Sequence, residues 1–202
     1  EGHLRLAYAA LPDSVTPVKS IARMQMQMSN DEAYVDQREG LLLGALSLLD
    51  TVLVNNPEAY ELLLDKANVL AALGRNDEAG EIYAALLAEH GDDTVLLTEI
   101  ANLATSEGDY ARAADFYIRI VDLNEADTDA TNDTQNKAML VMAGTWYSHS
   151  TIGRYEEAIV VLDRAADLEM IPTENLILQR LKTYYNYGKK LKTDAQAEAD
   201  PV

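Results

Sequence analysis

The sequence predicts an all-α fold in which helix–turn–helix hairpins stack against one another. Small residues recur in columns with a period of 34 residues, and apolar residues recur at helical spacing between them. The columns are Ala33, Ala67 and Ala101; Gly40, Gly74 and Gly108; and Ala45, Ala79 and Ala113. A fixed period of this length indicates a repeat architecture, in which each hairpin covers the apolar flank of its neighbour.

The second copy shows how one hairpin is built. One face of its first helix carries Leu63, Ala67, Leu70 and Leu73. Gly74 is predicted to end this helix, because glycine readily takes the left-handed conformation of a helix C-terminus. The next helix is predicted to start near Asp77, with Asn76 or Asp77 as its cap. Ala79 then lies where the two helices must approach closely, since a larger side chain would push them apart.

A fourth copy follows the third at a greater distance. Gly153 and Ala158 lie 45 residues after their counterparts in the third copy, which is the period of 34 plus an insertion of 11 residues. The insertion, within residues 124–135, is acidic and rich in turn formers, so we expect a solvated loop. A calcium loop starting at Asp127 would need a glycine and a glutamate that the sequence lacks.

These columns resemble the tetratricopeptide repeat, which has the same period and the same small, glycine, alanine and aromatic positions. The third copy, for example, supplies Ala101, Gly108, Ala113, Tyr117 and Ile120. The resemblance covers about residues 26–172 and implies a right-handed α-solenoid with capping helices. It divides the chain into repeats over residues 26–59, 60–93, 94–127 and 139–172, with the insertion reaching about residue 138.

The fourth copy departs from the family pattern. Trp146 occupies the position of its small residue, which indicates a local shift of register or a different packing of its first helix. The family's early tryptophan is replaced in the four copies by Ser29, Leu63, Leu97 and Met142.

The two ends are predicted to cap the stack, because terminal repeats would otherwise expose apolar faces. Residues 1–25 form the N-terminal capping segment, and Ser29 with Glu32 has the pattern of a capping box, which leaves open one long helix or two short ones. Residues 173–193 are predicted to form a C-terminal capping helix, started by Thr173, and residues 194–202 a disordered tail. The side chains expected to face the stack are Leu178, Leu181 and Tyr185.

The composition excludes several classes of partner. Thirty-four acidic residues against sixteen basic ones give a net charge of −18, which disfavours nucleic acid and anionic membrane surfaces. The longest apolar run, residues 41–54, is too short to insert into a bilayer. The chain starts at Glu1, which favours a processed protein of the bacterial periplasm or envelope, with the cytoplasm as the alternative.

No catalytic, cofactor or metal motif is recognisable, so the sequence predicts a protein that is not an enzyme and binds no cofactor. Cysteine is absent, which excludes disulfides and thiolate chemistry. His3 is expected in an unstructured chain end, and His90 and His149 are interpreted as ordinary turn or packing residues.

The resemblance implies a concave groove lined by the first helix of each repeat. The predicted partner-binding residues are Gln27, Asn30, Tyr34, Gln37, Glu61, Leu64, Asn68, Val95, Thr98, Asn102, Thr105, Tyr147 and Ser150. Asn68 and Asn102 occupy equivalent places, where they could bond a peptide backbone or, alternatively, a neighbouring helix. Relatives that grip a terminal carboxylate carry a lysine where this chain has Leu64 and Thr98, so that charged clamp is not predicted.

A second candidate surface is basic and lies on the C-terminal helix. Its residues are Arg180, Lys182, Lys189, Lys190 and Lys192. It could dock an acidic partner or another copy's acidic segment at residues 122–133, or it could simply be the solvated face of a cap.

The function that follows is a scaffold, adaptor or assembly subunit that binds a protein or peptide, with self-association left open. The alternative is an accessory or small-ligand-sensing domain of a larger enzyme or envelope complex, which would need a compact apolar pocket near Trp146 and Tyr147. A weaker third option is an enzyme that uses His149.

Overall fold

The computed structural model describes residues 15–126, 133–168 and 174–199, and every regular element in these ranges is helical. The α-helices there are α1 Val15–Ser29, α2 Arg38–Leu53, α3 Tyr60–Ala72, α4 Asn76–Glu89, α5 Thr94–Ser106, α6 Tyr110–Ala126, α7 Asp133–Tyr147, α8 Tyr155–Asp167 and α9 Glu174–Ala199. A 3-10 helix, Glu32–Gln37, lies between α1 and α2. None of these helices has the length and apolarity that a bilayer span requires. The predicted all-α repeat fold is confirmed.

Two compact units make up the chain, residues 1–96 and residues 97–202, with the boundary in α5. In the first unit α1 packs against α2 and α3, α2 packs against α3, and α3 packs against α4. The largest buried side chains of this unit include Leu42, Leu49, Leu62 and Leu70. Each contributes about 1.5–3 kcal/mol relative to an exposed position. Ala45, Ala67 and Ala79 are fully buried, as their positions at close helix contacts require.

The turn at Gly74 has the predicted form. Gly74 has a φ of 76°, a left-handed conformation that is costly for residues with a Cβ. Its backbone N–H donates to the carbonyl of Ala71 at 2.9 Å, and that of Arg75 donates to the carbonyl of Leu70 at 2.9 Å. These two bonds form a Schellman motif, which satisfies carbonyls that the end of α3 would leave unpaired. The predicted cap of α4 is wrong: the helix starts at Asn76, and its N-cap, Arg75, makes no side-chain capping bond.

The first hairpin differs from the predicted register. Its first helix is α1, a single helix, so part of the predicted capping segment belongs to a hairpin. Gly40 lies inside α2 and not in a turn, because the connection from α1 takes up residues 30–37. The capping box is also wrong: Ser29 Oγ donates back to the carbonyl of Met26 at 2.7 Å, and Asp31 caps the 3-10 helix instead.

Asp93 holds the start of α5 in the first unit. Its Oδ1 accepts hydrogen bonds from the backbone amides of Val95 at 2.8 Å and Leu96 at 3.2 Å, and its Oδ2 accepts one from Tyr60 Oη at 2.7 Å. Burial opposes ionisation of the Asp93 carboxyl, but the hydrogen bonds outweigh it, so its pKa lies below its usual value. Burial, together with the hydrogen bond to Asp93, raises the pKa of the Tyr60 hydroxyl.

The second unit repeats the hairpin pattern. In it α7 packs against α6, α8 and α9, and α8 packs against α9. Gly108 and Gly153 have φ values of 77° and 67°, so both predicted glycine turns are confirmed. Arg154 Nη1 lies 2.9 Å from Asp115 Oδ1, and Arg164 Nη1 lies 2.6 Å from Asp122 Oδ1. These two arginines of the fourth hairpin therefore pair with carboxylates on α6.

The fourth hairpin contains the shift of register that the position of Trp146 indicates. Gly144 faces α8 so closely that a Cβ there would lie 2.5 Å from Leu162 Cγ. Gly144 therefore takes the role that Ala67 has in the second hairpin. Ala67 precedes its turn glycine by seven residues and Gly144 by nine, so the connection is two residues longer. The predicted start of this repeat at residue 139 falls inside α7.

The C-terminal helix presents a different face from the predicted one. Leu176 and Thr183 are buried, whereas the side chains predicted to face the stack are exposed: Leu178 by 46%, Leu181 by 59% and Tyr185 by 67%. That prediction is wrong, because apolarity alone does not determine which face of a helix meets its neighbour. Helix α9 also continues to Ala199. Residues 194–199 are therefore helical, whereas the sequence predicted a disordered tail there. Thr173 lies outside the described residues.

Candidate partner-binding site

The two equivalent asparagines are held by tyrosines of the same hairpin. In the first unit Tyr83 Oη donates a hydrogen bond to Asn68 Oδ1. In the second unit Tyr117 Oη donates to Asn102 Oδ1 at 3.4 Å. The interpretation that these side chains bond a neighbouring helix is therefore correct for their oxygens. Because each carboxamide is oriented by its tyrosine, its NH₂ group is the end that can donate to a partner.

The other predicted binding residues of the first unit have mixed positions. Gln27, Asn30 and Gln37 are exposed, but they lie on α1, on the bend after it and on the 3-10 helix, and not together on one first helix as predicted. Tyr34, also in the 3-10 helix, is half-buried, and Glu61 is paired with Lys19. Leu64 is only 6% exposed and belongs to the core, so its prediction as a binding residue is wrong. Val95 at the start of α5 is exposed.

In the second unit, Thr98 and Thr105 are half-buried on α5, and Asn102 between them is exposed. Tyr147 is only 1% exposed, and its hydroxyl bonds Asp115, so its prediction as a binding residue is wrong. The error follows from the two-residue shift at Gly144. When the helix is aligned on Gly144, Thr145 takes the place of the asparagines, and Ser148 takes the place predicted for Ser150.

A cavity of about 540 Å³, lined mostly by residues with polar side chains, lies between α7 and α9 in the second unit. We call it the α7–α9 cavity. It is lined by Thr145, Ser148, His149, Ser150, Tyr155, Gln179, Lys182, Asn186, Lys189, Lys190 and Thr193. It brings together one predicted groove residue, Ser150, and three residues of the predicted basic surface. Its other lining residues were not predicted, although aligning the fourth copy on Gly144 would have indicated Thr145 and Ser148.

The serine and threonine side chains on the α7 side are anchored locally. Thr145 Oγ1 donates to the carbonyl of Val141 at 2.7 Å, and Ser148 Oγ donates to the carbonyl of Thr145 at 2.8 Å. His149 Nδ1 lies 2.9 Å from Thr151 Oγ1. Each hydroxyl oxygen keeps acceptor capacity, and the backbone bonds fix where it lies.

The basic residues of α9 divide into two groups. Lys182, Lys189 and Lys190 line the cavity, whereas Arg180 lies 2.5 Å from Asp163 of α8 and Lys192 is not a lining residue. Lys190 Nζ lies 2.6 Å from Asp194 Oδ2, and this hydrogen bond raises the pKa of Lys190. Lys189 Nζ lies 5.7 Å from the centre of the Tyr185 ring. The predicted basic surface is thus only partly one site.

A second cavity of the same unit, of about 420 Å³, lies beside Tyr147. Three of its charged lining residues bond one another: Arg154 donates to Asp115 at 2.9 Å and to Glu157 at 3.0 Å, and it covers the Tyr147 ring at 4.0 Å. The fourth, Glu156, accepts a hydrogen bond from Tyr187. Burial and the bond to Asp115 raise the pKa of Tyr147. The sensor alternative needs a compact apolar pocket near Trp146 and Tyr147. This cavity lies beside Tyr147 and takes apolar side chains from Ile118, Val160 and Val161. Trp146 is not among its lining residues, and its ring lies against Tyr110 and Tyr117.

The histidines lie in no recognisable catalytic arrangement within the described ranges. His149 contacts Thr151, and Ser148 is engaged by a backbone carbonyl, so no serine–histidine pair is formed there. His90 packs against Tyr60, with ring centres 4.4 Å apart. The described residues contain no cluster of three side chains able to hold a metal ion, and Asp127 lies outside them.

These features define a class, the α-helical repeat proteins. Two family models, both described as "Tetratricopeptide repeat", match residues 38–103 and residues 96–131. Residues 38–131 therefore contain tetratricopeptide repeats, and the resemblance seen in the sequence is confirmed over these residues. Members of this family generally mediate interactions between proteins. A comparison with proteins of curated function finds no match.

Solved structures share the fold. The chain is similar to a Podosopora anserina protein described as a putative kinesin light chain with nearly identical TPR-like repeats, with 17% identity, a TM-score of 0.57, and 91% and 99% of the two chains covered. BtubC (BKLC) from P. vanneervenii gives 15% identity, a TM-score of 0.58 and coverage of 98% and 84%. A tetratricopeptide repeat protein from Parabacteroides merdae gives 19% identity, a TM-score of 0.54, and coverage of 97% of this chain and 69% of that protein. At these identities the similarity shows the fold alone.

Proposed function

We propose that the chain is a non-enzymatic adaptor or assembly subunit that holds a protein or peptide partner. The observation that carries this proposal is the α7–α9 cavity, which combines polar side chains from two neighbouring helices and the turn between α7 and α8. A binding site needs hydrogen-bonding groups whose positions are fixed before the partner arrives, since ordering them later costs free energy. The anchored hydroxyls of Thr145 and Ser148 meet this requirement.

The exposed carboxamide of Asn102 supports the same proposal at a second position of the second unit. Tyr117 orients it, and an oriented NH₂ group can donate to a carbonyl of an extended peptide. Asn68 has the same arrangement in the first unit, where Tyr83 is its partner. We therefore keep both asparagines as proposed contacts to a peptide backbone.

The competing function, small-ligand sensing, has less support. The cavity beside Tyr147 is the place where a sensor would bind its ligand. Arg154, Asp115 and Glu157 already pair with one another, and Glu156 accepts a hydrogen bond from Tyr187. A ligand that binds these charged groups would therefore have to replace existing bonds. The α7–α9 cavity requires no such replacement at Lys182, for which the described residues provide no ion-pair partner.

The test is to fill the mouth of the α7–α9 cavity without changing its charge. Ser150 is exposed and lines the cavity, so Ser150→Trp should obstruct it and leave the fold intact. Ser47 is an exposed serine on α2 in the other unit, and Ser47→Trp is the matched control. We expect wild type and Ser47→Trp to capture the same proteins from an extract of the source organism, and Ser150→Trp to lose them. Equal capture by all three proteins would contradict the proposal.

A further inference from the structure

We propose that the α7–α9 cavity binds an acidic peptide segment in an extended conformation. This inference rests on the proposed function, because it specifies the chemistry of the partner at the same cavity. It commits to carboxylate side chains carried on a polypeptide, and not to an isolated anion or a nucleic acid.

The charge of the lining is the first argument. Three lysines and one histidine line the cavity, and no aspartate or glutamate is among its lining residues. The protein as a whole has 34 acidic and 16 basic residues, so a cavity without acids contrasts with the rest of the chain. Of the three lysines, Lys190 is paired with Asp194, whereas Lys182 and Lys189 have no ion-pair partner among the described residues. A carboxylate that enters the cavity could therefore pair with Lys182 and Lys189 without displacing another carboxylate.

The length of the lining is the second argument. On α9 the lining residues recur at helical spacing from Gln179 to Thr193, a separation of 14 residues. At 1.5 Å per residue this stripe is about 21 Å long. An extended peptide rises about 3.3 Å per residue, so about six residues would cover it. A single phosphate or carboxylate would occupy only a small part of the stripe.

The spacing of the lysines predicts the spacing of the acids. Lys182 and Lys189 are seven residues apart on α9, which corresponds to about 10 Å along the helix. In an extended peptide, residues three positions apart are separated by about the same distance. The proposed segment therefore carries acidic side chains about three positions apart.

The neutral polar side chains that line the cavity beside the lysines suit a peptide backbone. Gln179 and Asn186 each carry a donor and an acceptor, and Ser150 offers a hydroxyl from the opposite side of the cavity. A polynucleotide is disfavoured because the net charge of −18 repels a long polyanion outside this small area.

The test uses fluorescein-labelled hexaglutamate as the probe and fluorescence anisotropy as the measurement, at about 50 mM salt, where screening is moderate. Lys182→Gln removes a lysine of the cavity, and Lys192→Gln removes a lysine of the same helix outside it. Each lowers the net charge equally, so Lys192→Gln is the matched control. Circular dichroism verifies that both variants remain folded.

We expect wild type to bind hexaglutamate and hexaglutamine not to bind. Lys182→Gln should weaken binding about three- to fivefold, as expected for one solvent-accessible ion pair. Lys182→Gln combined with Lys189→Gln should weaken it about tenfold or more, and Lys192→Gln should change it less than about twofold.

Three outcomes would overturn the inference. Equal weakening by Lys182→Gln and Lys192→Gln would show attraction to the whole helix and not to the cavity. Full displacement of the probe by inorganic phosphate at a similar concentration of anionic groups would show a site for a single anion. Absence of hexaglutamate binding would exclude the acidic partner, while loss of protein capture by Ser150→Trp would leave the proposed function standing.

Discussion

Replacing Gly144 by alanine tests the close contact on which the fourth hairpin depends. The added Cβ would lie 2.5 Å from Leu162 Cγ, 2.8 Å from Leu162 Cδ2 and 3.3 Å from the carbonyl oxygen of Ala158. Carbon atoms in contact normally stay about 3.5–4.0 Å apart, so the overlap is about 1 Å. Leu162 is fully buried and has no space to move into without displacing other core atoms.

The expected cost follows from two opposing effects. Overpacking a well-filled core costs about 1–3 kcal/mol. Alanine regains up to about 1 kcal/mol because it favours the helical backbone more than glycine does. The contact involves a branched carbon and a backbone oxygen, which cannot swing aside, so we expect Gly144→Ala to lower the free energy of unfolding by about 1–2 kcal/mol.

Gly188→Ala is the matched control in the same unit. Gly188 lies inside α9 and has no atom within 4 Å of the position of an added Cβ, so this variant should be more stable than wild type by about 0.5–1 kcal/mol. Urea unfolding followed by tryptophan fluorescence measures both, because Trp146, the chain's one tryptophan, lies on α7 close to Gly144. A Gly144→Ala protein as stable as Gly188→Ala would refute the proposed contact.

Five further substitutions test the glycine positions, the cap of α5 and the ion pairs of Arg154. Gly108→Ala should lower the free energy of unfolding by about 1–2 kcal/mol, because the φ of Gly108 is 77°. Gly40→Ala, inside α2, should raise it by about 0.5–1 kcal/mol. Urea unfolding followed by far-UV circular dichroism measures both. Asp93→Ala should cost about 1–2 kcal/mol at neutral pH through loss of the α5 cap. Because the folded pKa of Asp93 lies below its usual 3.8, this stabilisation is present above that pH and is lost as the pH falls through the folded value, so the difference between wild type and variant should narrow in acid. If the difference in free energy of unfolding between wild type and Asp93→Ala did not depend on pH, the proposed role of the ionised Asp93 carboxylate would be contradicted. Arg154→Ala should lower the free energy of unfolding by about 1 kcal/mol. Arg154→Lys should restore less than half of that loss, because lysine cannot both stack on Tyr147 and reach two carboxylates. Full restoration by lysine in the same urea unfolding measurement would contradict these contacts of Arg154.

Much of the fold was predictable because the repeat period is a local property of the chain. The left-handed glycine turns at Gly74, Gly108 and Gly153 follow from the turn chemistry of glycine at each hairpin. The same period misled at Gly40, since nothing in the sequence shows that residues 30–37 form a long connection with its own 3-10 helix. A column of glycines marks a turn only where the preceding helix has the usual length.

The site was less predictable, because a shift of register in the fourth hairpin and the packing of α9 decide which residues line it. The connection after α7 is two residues longer than in the second hairpin, which buries Tyr147 and brings Thr145 and Ser148 to the cavity. In the sequence, only Gly144 could have indicated this shift of register. It is the small residue of the fourth copy, and it lies two positions before the place, occupied by Trp146, where the period of the repeat puts that residue. The orientation of α9 depends on packing between helices that are distant in sequence, so its lysines could be predicted as basic but not assigned to one cavity.

The most direct test of the central claim is the affinity of Ser150→Trp for hexaglutamate. This substitution changes no charge and alters no residue of α9, so it tests whether the probe enters the α7–α9 cavity. We predict that anisotropy will show binding weakened about tenfold or more relative to wild type and to Ser47→Trp. Unchanged affinity in Ser150→Trp would contradict the account, because the peptide would then bind outside the cavity.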